Sequence, residues 1–171
     1  MVVVDTDFFS SLFKISELKL ILKSLNVDKI IIPSAVYEEL KDANFFNDAI
    51  NLFAFSDEEL SKEKFVLVKK INLLDLQKHF DMEKIEVLGK GEKGCLLIAK
   101  ETNDKILMDD KCARKIAKEE GLKVLSIPSF LIDCKRKNIL SNEKLKQIIK
   151  DLKEKDYYEF SKEVENLLLA W

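Results

Sequence analysis

Val2-Val3-Val4-Asp5-Thr6-Asp7-Phe8-Phe9 is the stretch whose reading decides the fold. Three consecutive β-branched residues leave no polar face, so the strand they form is expected to be buried on both sides, as in a parallel sheet. Asp5-Thr6-Asp7 then offers the side-chain oxygens that cap a helix start, and Phe8, Phe9, Leu12 and Phe13 give that helix its apolar face. A strand, a polar turn and a helix in this order begin a βαβ unit.

Further along the chain the pattern repeats. Ser16 to about Leu25 predicts a second helix, with Leu18, Ile21, Leu22 and Leu25 on one side. Ile30-Ile31-Ile32 is the next strand, broken by Pro33-Ser34, which opens a helix carrying Val36, Tyr37, Glu38, Glu39 and Leu40. Residues 44 to 62 read as mostly helical, Phe65 to Val68 as a strand, and residues 72 to 80 as a Leu-rich helical stretch. Ile85 to Leu88 is a short apolar piece of either kind. Gly89-Lys90-Gly91-Glu92 opens a helix through Leu96, Leu97 and Ala99, and Lys105 to Met108 forms a strand running into Asp109-Asp110. A helix holding Ala113, Ile116 and Ala117 stops at Gly121, a natural C′ residue, before the strand Val124-Leu125. The last 45 or so residues read as helical throughout, with stripes at Leu145, Ile148, Ile149 and Leu152 and at Val164, Leu167 and Leu168. The expected architecture is α/β: a central, mostly parallel sheet of four to five strands with helices on both faces, in one domain over residues 1–171.

Composition narrows the function classes. The chain is 47% apolar, enough for a core without disulfides, and 35% charged, with 29 basic residues against 31 acidic. Any nucleic-acid contact must therefore come from a local basic patch. Cys95, Cys112 and Cys134 are far apart and His79 is the sole histidine, so zinc sites and Ser/His or Cys/His catalysis are poorly supplied. The three cysteines are expected to be small buried residues in a reducing compartment, and His79 a surface residue. The start has no basic n-region and no apolar run is long enough to span a bilayer, which predicts a cytoplasmic protein with no membrane contact.

The acidic residues carry the chemistry. In a parallel α/β sheet, ligands gather beyond the carboxyl ends of the strands. Asp5 follows the first strand, and Asp109 and Asp110 follow the Ile106–Met108 strand. Glu92 starts a helix, and Glu39 lies about a turn into the helix after the second strand. Taken singly, Asp5 and Asp110 are ordinary N-caps, Glu92 a first-turn glutamate favoured by the helix dipole, and Glu39 a solvated helix residue. Brought together, their mutual repulsion calls for a hard cation such as Mg²⁺ or Mn²⁺.

The chain resembles the PIN-domain family, specifically a small prokaryotic branch of it. The resemblance rests on Val3-Val4-Asp5-Thr6, on Ile32-Pro33-Ser34-Ala35-Val36-Tyr37-Glu38-Glu39-Leu40, on Gly89-Lys90-Gly91-Glu92 with Ala99, and on Leu107-Met108-Asp109-Asp110-Lys111 with Ala113-Arg114-Lys115-Ile116-Ala117, followed by Gly121-Leu122-Lys123-Val124. These blocks keep the family's order and cover residues 1 to about 135. The resemblance implies a three-layer αβα sandwich. It implies that Asp5, Glu39, Glu92 and Asp110 are metal ligands and catalytic residues, with Asp109 as an alternative to Asp110 as the last of them. It implies hydrolysis of RNA phosphodiester bonds in the presence of Mg²⁺ or Mn²⁺, leaving a 5′-phosphate and a 3′-hydroxyl. Within that enzyme reading the toxin half of a toxin–antitoxin pair is one candidate role, because PIN-family toxins are bound by a small antitoxin protein that covers the active site. Thr6 is a candidate for orienting Asp5 or the substrate, and Lys111, Arg114, Lys115 and Lys118, with Lys90 and Lys93, are candidates for meeting substrate phosphates. The family usually has Ser or Thr two residues before the last acid, and Met108 stands there instead. A degraded, non-enzymatic interaction module is the corresponding alternative.

Gly89-Lys90-Gly91-Glu92-Lys93-Gly94 also spells G-x-G-x-x-G, the fingerprint of dinucleotide binding. Glu92 argues against it, because it sets a negative charge in a loop meant to cradle a pyrophosphate. The C-terminal helices, from about Ser141 to Trp171, fall outside the matching blocks. They are expected to pack on the sheet, with a homodimer surface anchored by Tyr157, Tyr158 and Trp171 as the second option.

Overall fold

The computed structural model describes residues 1–170. One six-stranded sheet runs through the molecule in the order β3-β4-β2-β1-β5-β6, with every neighbouring pair parallel. Its strands are β1 (Val2–Val4), β2 (Ile30–Pro33), β3 (Phe53–Ala54), β4 (Val66–Lys69), β5 (Lys105–Leu107) and β6 (Val124–Leu125). Around it pack α1 (Thr6–Lys14), α2 (Lys19–Leu25), α3 (Ser34–Leu40), α4 (Phe46–Ala49), α5 (Met82–Ile85), α6 (Lys90–Thr102), α7 (Lys111–Glu119), α8 (Ile127–Arg136), α9 (Asn142–Lys155) and α10 (Lys162–Leu169). The expected parallel α/β architecture is present. No helix among the described residues is long and apolar enough to cross a membrane.

The sheet has one strand more than expected because residues 44 to 62 are not a helix. After the single turn of α4 and a 3-10 turn at Ile50–Leu52, Phe53 and Ala54 extend and pair with Val66 and Leu67 of β4. Aromatic packing overrides helix periodicity there: the Phe53 ring meets Phe9, Tyr37 and Phe46 at centroid distances of 5.9, 5.1 and 6.0 Å. The Leu-rich stretch forms a 3-10 helix at Leu73–Lys78, and the piece from Ile85 to Leu88 closes α5 and turns without pairing to the sheet. The second helix starts at Lys19, after Ser16 takes a left-handed turn at φ 61°. Among the described residues, the C-terminal region is three helices, α8, α9 and α10, with breaks between them.

Val2, Val3 and Val4 are fully buried between β2 and β5, as their lack of alternation requires. From β1 the chain fills one side of the sheet through β2, β3 and β4, then crosses to build β5 and β6 on the other side. The strand order therefore reverses beside β1, and the crevice at such a reversal is where α/β sheets bind ligands.

The three glycines of the G-x-G-x-x-G stretch serve close approach. The segment before Gly89 is α5 and a turn, so the strand that a dinucleotide fingerprint follows is not present there. A Cβ on Gly94 would lie 2.7 Å from Pro33 Cβ and 2.7 Å from Ile71 Cδ1, so α6 seats against the end of β2 only because that position is bare. Gly94→Ala is expected to lower the melting temperature. Overpacking against the rigid Pro33 ring costs about 1–3 kcal/mol. That outweighs the helix-propensity gain of about 1 kcal/mol. A thermal melt of the variant checks it, and an unchanged or higher midpoint would show that α6 can slide.

Candidate active site

Asp5 leaves β1 with its N–H donating to Leu107 O of β5 at 3.0 Å, so the end of the central strand fixes its position. Its carboxylate caps α1, accepting from Phe8 N–H at 2.8 Å, and its other oxygen accepts from Asp109 N–H at 3.2 Å. It is 4% exposed. Burial pushes its carboxyl up from 3.8 to about 8, and the nearby charges of Asp7 and Asp109 add to the rise against the two backbone donors.

Beyond Asp5 lies a cavity of about 100 Å³ lined by Asp5, Thr6, Asp7, Glu39 and Glu92. Glu39 reaches it from α3, and the Thr6 hydroxyl donates to Glu39 Oε2. Gly91 makes room for that carboxylate, because a Cβ there would sit 2.8 Å from Glu39 Oε2. Glu92, in the first turn of α6, folds back over Gly89, where a Cβ would lie 2.5 Å from its Oε2. The convergence is felt one turn deeper, at the fully buried Cys95 thiol. Burial raises its pKa well above the ordinary range, and the charges of Asp5, Glu92 and Glu39 raise it further.

Three of the four expected acids, Asp5, Glu39 and Glu92, therefore share one cavity. The structure adds Asp7, which in the sequence is only part of a helix-capping stretch. The Asp7 carboxyl is raised first by burial and then by Asp109, Asp110, Glu39 and Asp156. Its signal in the sequence was its place two residues past Asp5, in the first turn of the same helix. Among the described residues, no three His, Cys, Asp or Glu side chains stand close enough together to hold one metal ion. That agrees with like charges standing apart, Glu39 on Thr6 and Glu92 over Gly89, while still facing one cavity.

Asp110 lies outside the cavity lining, and its Oδ1 caps α7 by accepting from Ala113 N–H at 2.6 Å. Asp109 is more heavily engaged. Oδ1 accepts from Ile127 N–H at 3.0 Å and lies 3.7 Å from Arg114 Nη1, and Oδ2 accepts from Tyr158 Oη at 2.7 Å. Arg114 also donates to the carbonyls of Asp109 and Met108, so it braces this loop instead of standing free for substrate. Lys111 is exposed at the start of α7, and Lys115 is exposed with Glu119 3.9 Å away. Met108 is wholly buried in the core, so the residue standing where a hydroxyl is usual does not line the cavity.

Cys95 and Cys134 are buried as expected, but Cys112 is exposed because it falls on the outer face of α7. His79 is exposed, as expected. Tyr157 is 85% exposed and Tyr158 half-buried against Phe160 at 4.7 Å, whereas Trp171 lies outside the described residues. The C-terminal segment thus supports the site loop through the bond from Tyr158 to Asp109, which no local motif announced.

A comparison with known proteins finds no match among curated proteins or solved structures. A family model described as a PIN domain matches residues 1–171, C-terminal helices included. With an all-parallel sheet and a carboxylate-lined cavity at the reversal of strand order, the chain belongs to the PIN-domain family.

Proposed function

We propose that the protein is a divalent-metal-dependent ribonuclease whose centre is the cavity lined by Asp5, Asp7, Glu39 and Glu92. PIN domains are generally nucleases, and the cavity's donor set supports the finer reading. It is all oxygen, with four carboxylates and a hydroxyl, which suits Mg²⁺ or Mn²⁺ and not a softer ion. The observation that carries the proposal is Asp5, a nearly buried carboxylate beside other acids with only two backbone N–H groups to offset its charge. Such a group gains from a neighbouring dication.

Asp5, Glu39 and Glu92 would hold the ion, with Asp7 and Asp110 at its margin. When bound, the ion would make a nearby water acidic enough to attack at neutral pH and would offset charge on the scissile phosphate. Thr6 keeps Glu39 turned into the cavity. The bare Cα of Gly91 lets α6 bring Glu92 close to it. The backbone N–H groups of Phe8 and Asp109 fix both oxygens of Asp5, so that carboxylate pre-exists in one orientation. The finer identification as a toxin would be supported by a short reading frame beside the gene whose product binds over this cavity.

Cleavage of single-stranded RNA in Mg²⁺ or Mn²⁺, lost in EDTA and in Glu39→Gln, tests the proposal. Products with 5′-phosphates are expected. Mn²⁺ at about a hundredfold excess over its Kd is also expected to raise the melting temperature by roughly 5–10 °C. NAD is expected to leave it unchanged. Cleavage that persists without a divalent ion would remove this mechanism.

A further inference from the structure

The acidic cavity does not end at Asp7. That residue also lines a cleft of about 510 Å³ with Ser10, Ser11, Lys14 and Tyr157. Lys14 in turn lines a groove of about 620 Å³ with Lys19, Lys155, Phe13 and Phe45. The three hollows share walls in sequence along α1, whose nine residues span roughly 13 Å. They adjoin at Asp7 and at Lys14, a stepped trough divided by those two side chains between the carboxylates and the far end of the helix.

Its charge changes along the way. At the far end Lys14, Lys19 and Lys155 line the groove with Asp48, Lys14 also pairing with Asp156 at 2.7 Å and Lys155 with Asp151 at 3.3 Å, beside two half-buried rings whose centroids lie 4.8 Å apart. In the middle cleft two of the four acids on the wall are engaged, Asp156 with Ser11 at 2.5 Å and Lys14 at 2.7 Å and Asp109 with Tyr158, while Asp7 and Glu159 keep that stretch acidic. Tyr157 stands over this stretch. It occupies the C′ position after α9, where Tyr158 N–H closes back on Leu152 O at 3.0 Å, and its φ is 54°. Glycine or asparagine normally fills such a position, and a bulky side chain there is strained. Its ring is 85% exposed, so packing does not explain the choice.

We propose that this trough is the track of the single-stranded RNA leaving the acidic cavity, with a base stacking on Tyr157 and phosphates meeting Lys19 and Lys155. The inference rests on the ribonuclease reading above. Exposed aromatic rings interleaved with cations are how single strands are held without reading sequence.

Anisotropy of a labelled RNA of about ten nucleotides, measured with the full chain in EDTA, tests the track. Lys19→Ala with Lys155→Ala should weaken binding about tenfold at low salt and make the log–log salt slope shallower by roughly 1.4. Tyr157→Gly should weaken it about tenfold, with a melting temperature that is unchanged or raised because glycine relieves the left-handed strain. Tyr157→Phe should retain affinity. Equal affinities and slopes across these variants, no binding by the unmodified protein, or equal losses in Tyr157→Phe and Tyr157→Gly would overturn the track. Hydrolysis of bis(p-nitrophenyl) phosphate by the unmodified protein in Mn²⁺ separates the two ideas. Hydrolysis combined with variant-insensitive RNA binding removes the track and keeps the metal-dependent centre. Variant-sensitive binding with neither substrate cut keeps the track and removes the ribonuclease reading.

Discussion

Asp5→Asn is expected to reduce divalent-dependent RNA cleavage to background while making the metal-free protein more stable at alkaline pH. The first effect follows from the place of Asp5 at the end of the central strand, inside the carboxylate-lined cavity. The second follows from its burial. Its carboxyl is raised from 3.8 to about 8, so between those limits the folded protein holds a proton that the unfolded chain releases. Stability contributed by this group is therefore complete below about pH 4 and is lost progressively as pH rises to about 8, by an amount on the order of 5 kcal/mol. Asparagine removes the charge and keeps an acceptor for Phe8 N–H, although its amide must then face the N–H of Asp109 at a cost of about 1 kcal/mol. In EDTA, the unmodified protein should lose melting temperature steadily from pH 5 to pH 9, and Asp5→Asn should lose much less. The two should cross, with the variant the more stable at pH 9. Mn²⁺ should restore the unmodified protein at pH 9 and do little for the variant. Parallel pH profiles for the two proteins would show that the buried charge is relieved by something other than a cation.

The same residues explain how far sequence reading could reach. The Val2–Val4, Ile30–Ile32 and Ile106–Leu107 runs have no polar alternation, and burial on both faces of a parallel sheet is their direct consequence. The end of β1 places Asp5, the first turn of α6 places Glu92 and the last turn of α3 places Glu39, so element order pointed to this edge of the sheet, and the family resemblance singled out these acids on it. β3 was illegible because it pairs for only two residues and is held by rings from α1, α3 and α4, contacts between segments distant in sequence. Asp7 was hidden for a different reason. Its local environment is that of any acid in a first helical turn, and only the approach of α3, the β5–α7 loop and Asp156 at the end of α9 surrounds it with charge. The glycines at 89, 91 and 94 fit two motifs equally well in one dimension. Their neighbours, two carboxylates and a proline ring, separate those motifs.

The Asp109-Asp110 pair is where sequence and structure divide most sharply, and substitution should separate the two roles. Asp109→Ala would strip the partner from Ile127 N–H at the start of α8, from the half-buried Tyr158 hydroxyl and from Arg114. A charged acceptor lost to each of two donors costs about 1.5–3 kcal/mol, and a stranded cation adds to it. A total of about 4 kcal/mol, or roughly 10 °C in a chain of this size, is expected. Asp110→Ala loses one N-cap bond, at 2.6 Å to Ala113 N–H, and should cost about 1 kcal/mol. Cleavage should order the pair the other way. Asp110→Asn keeps the cap, because asparagine caps as well as aspartate. It changes only the charge facing Asp7, so a loss of cleavage at an unaltered melting temperature would assign Asp110 to the metal centre. Asp109→Asn can still accept from either Ile127 or Tyr158, and it should recover part of the stability and most of the cleavage lost in Asp109→Ala. If Asp109→Asn instead abolishes cleavage without lowering the melting temperature, Asp109 is the ligand, and its bonds to α8 and to the C-terminal segment break when the ion binds.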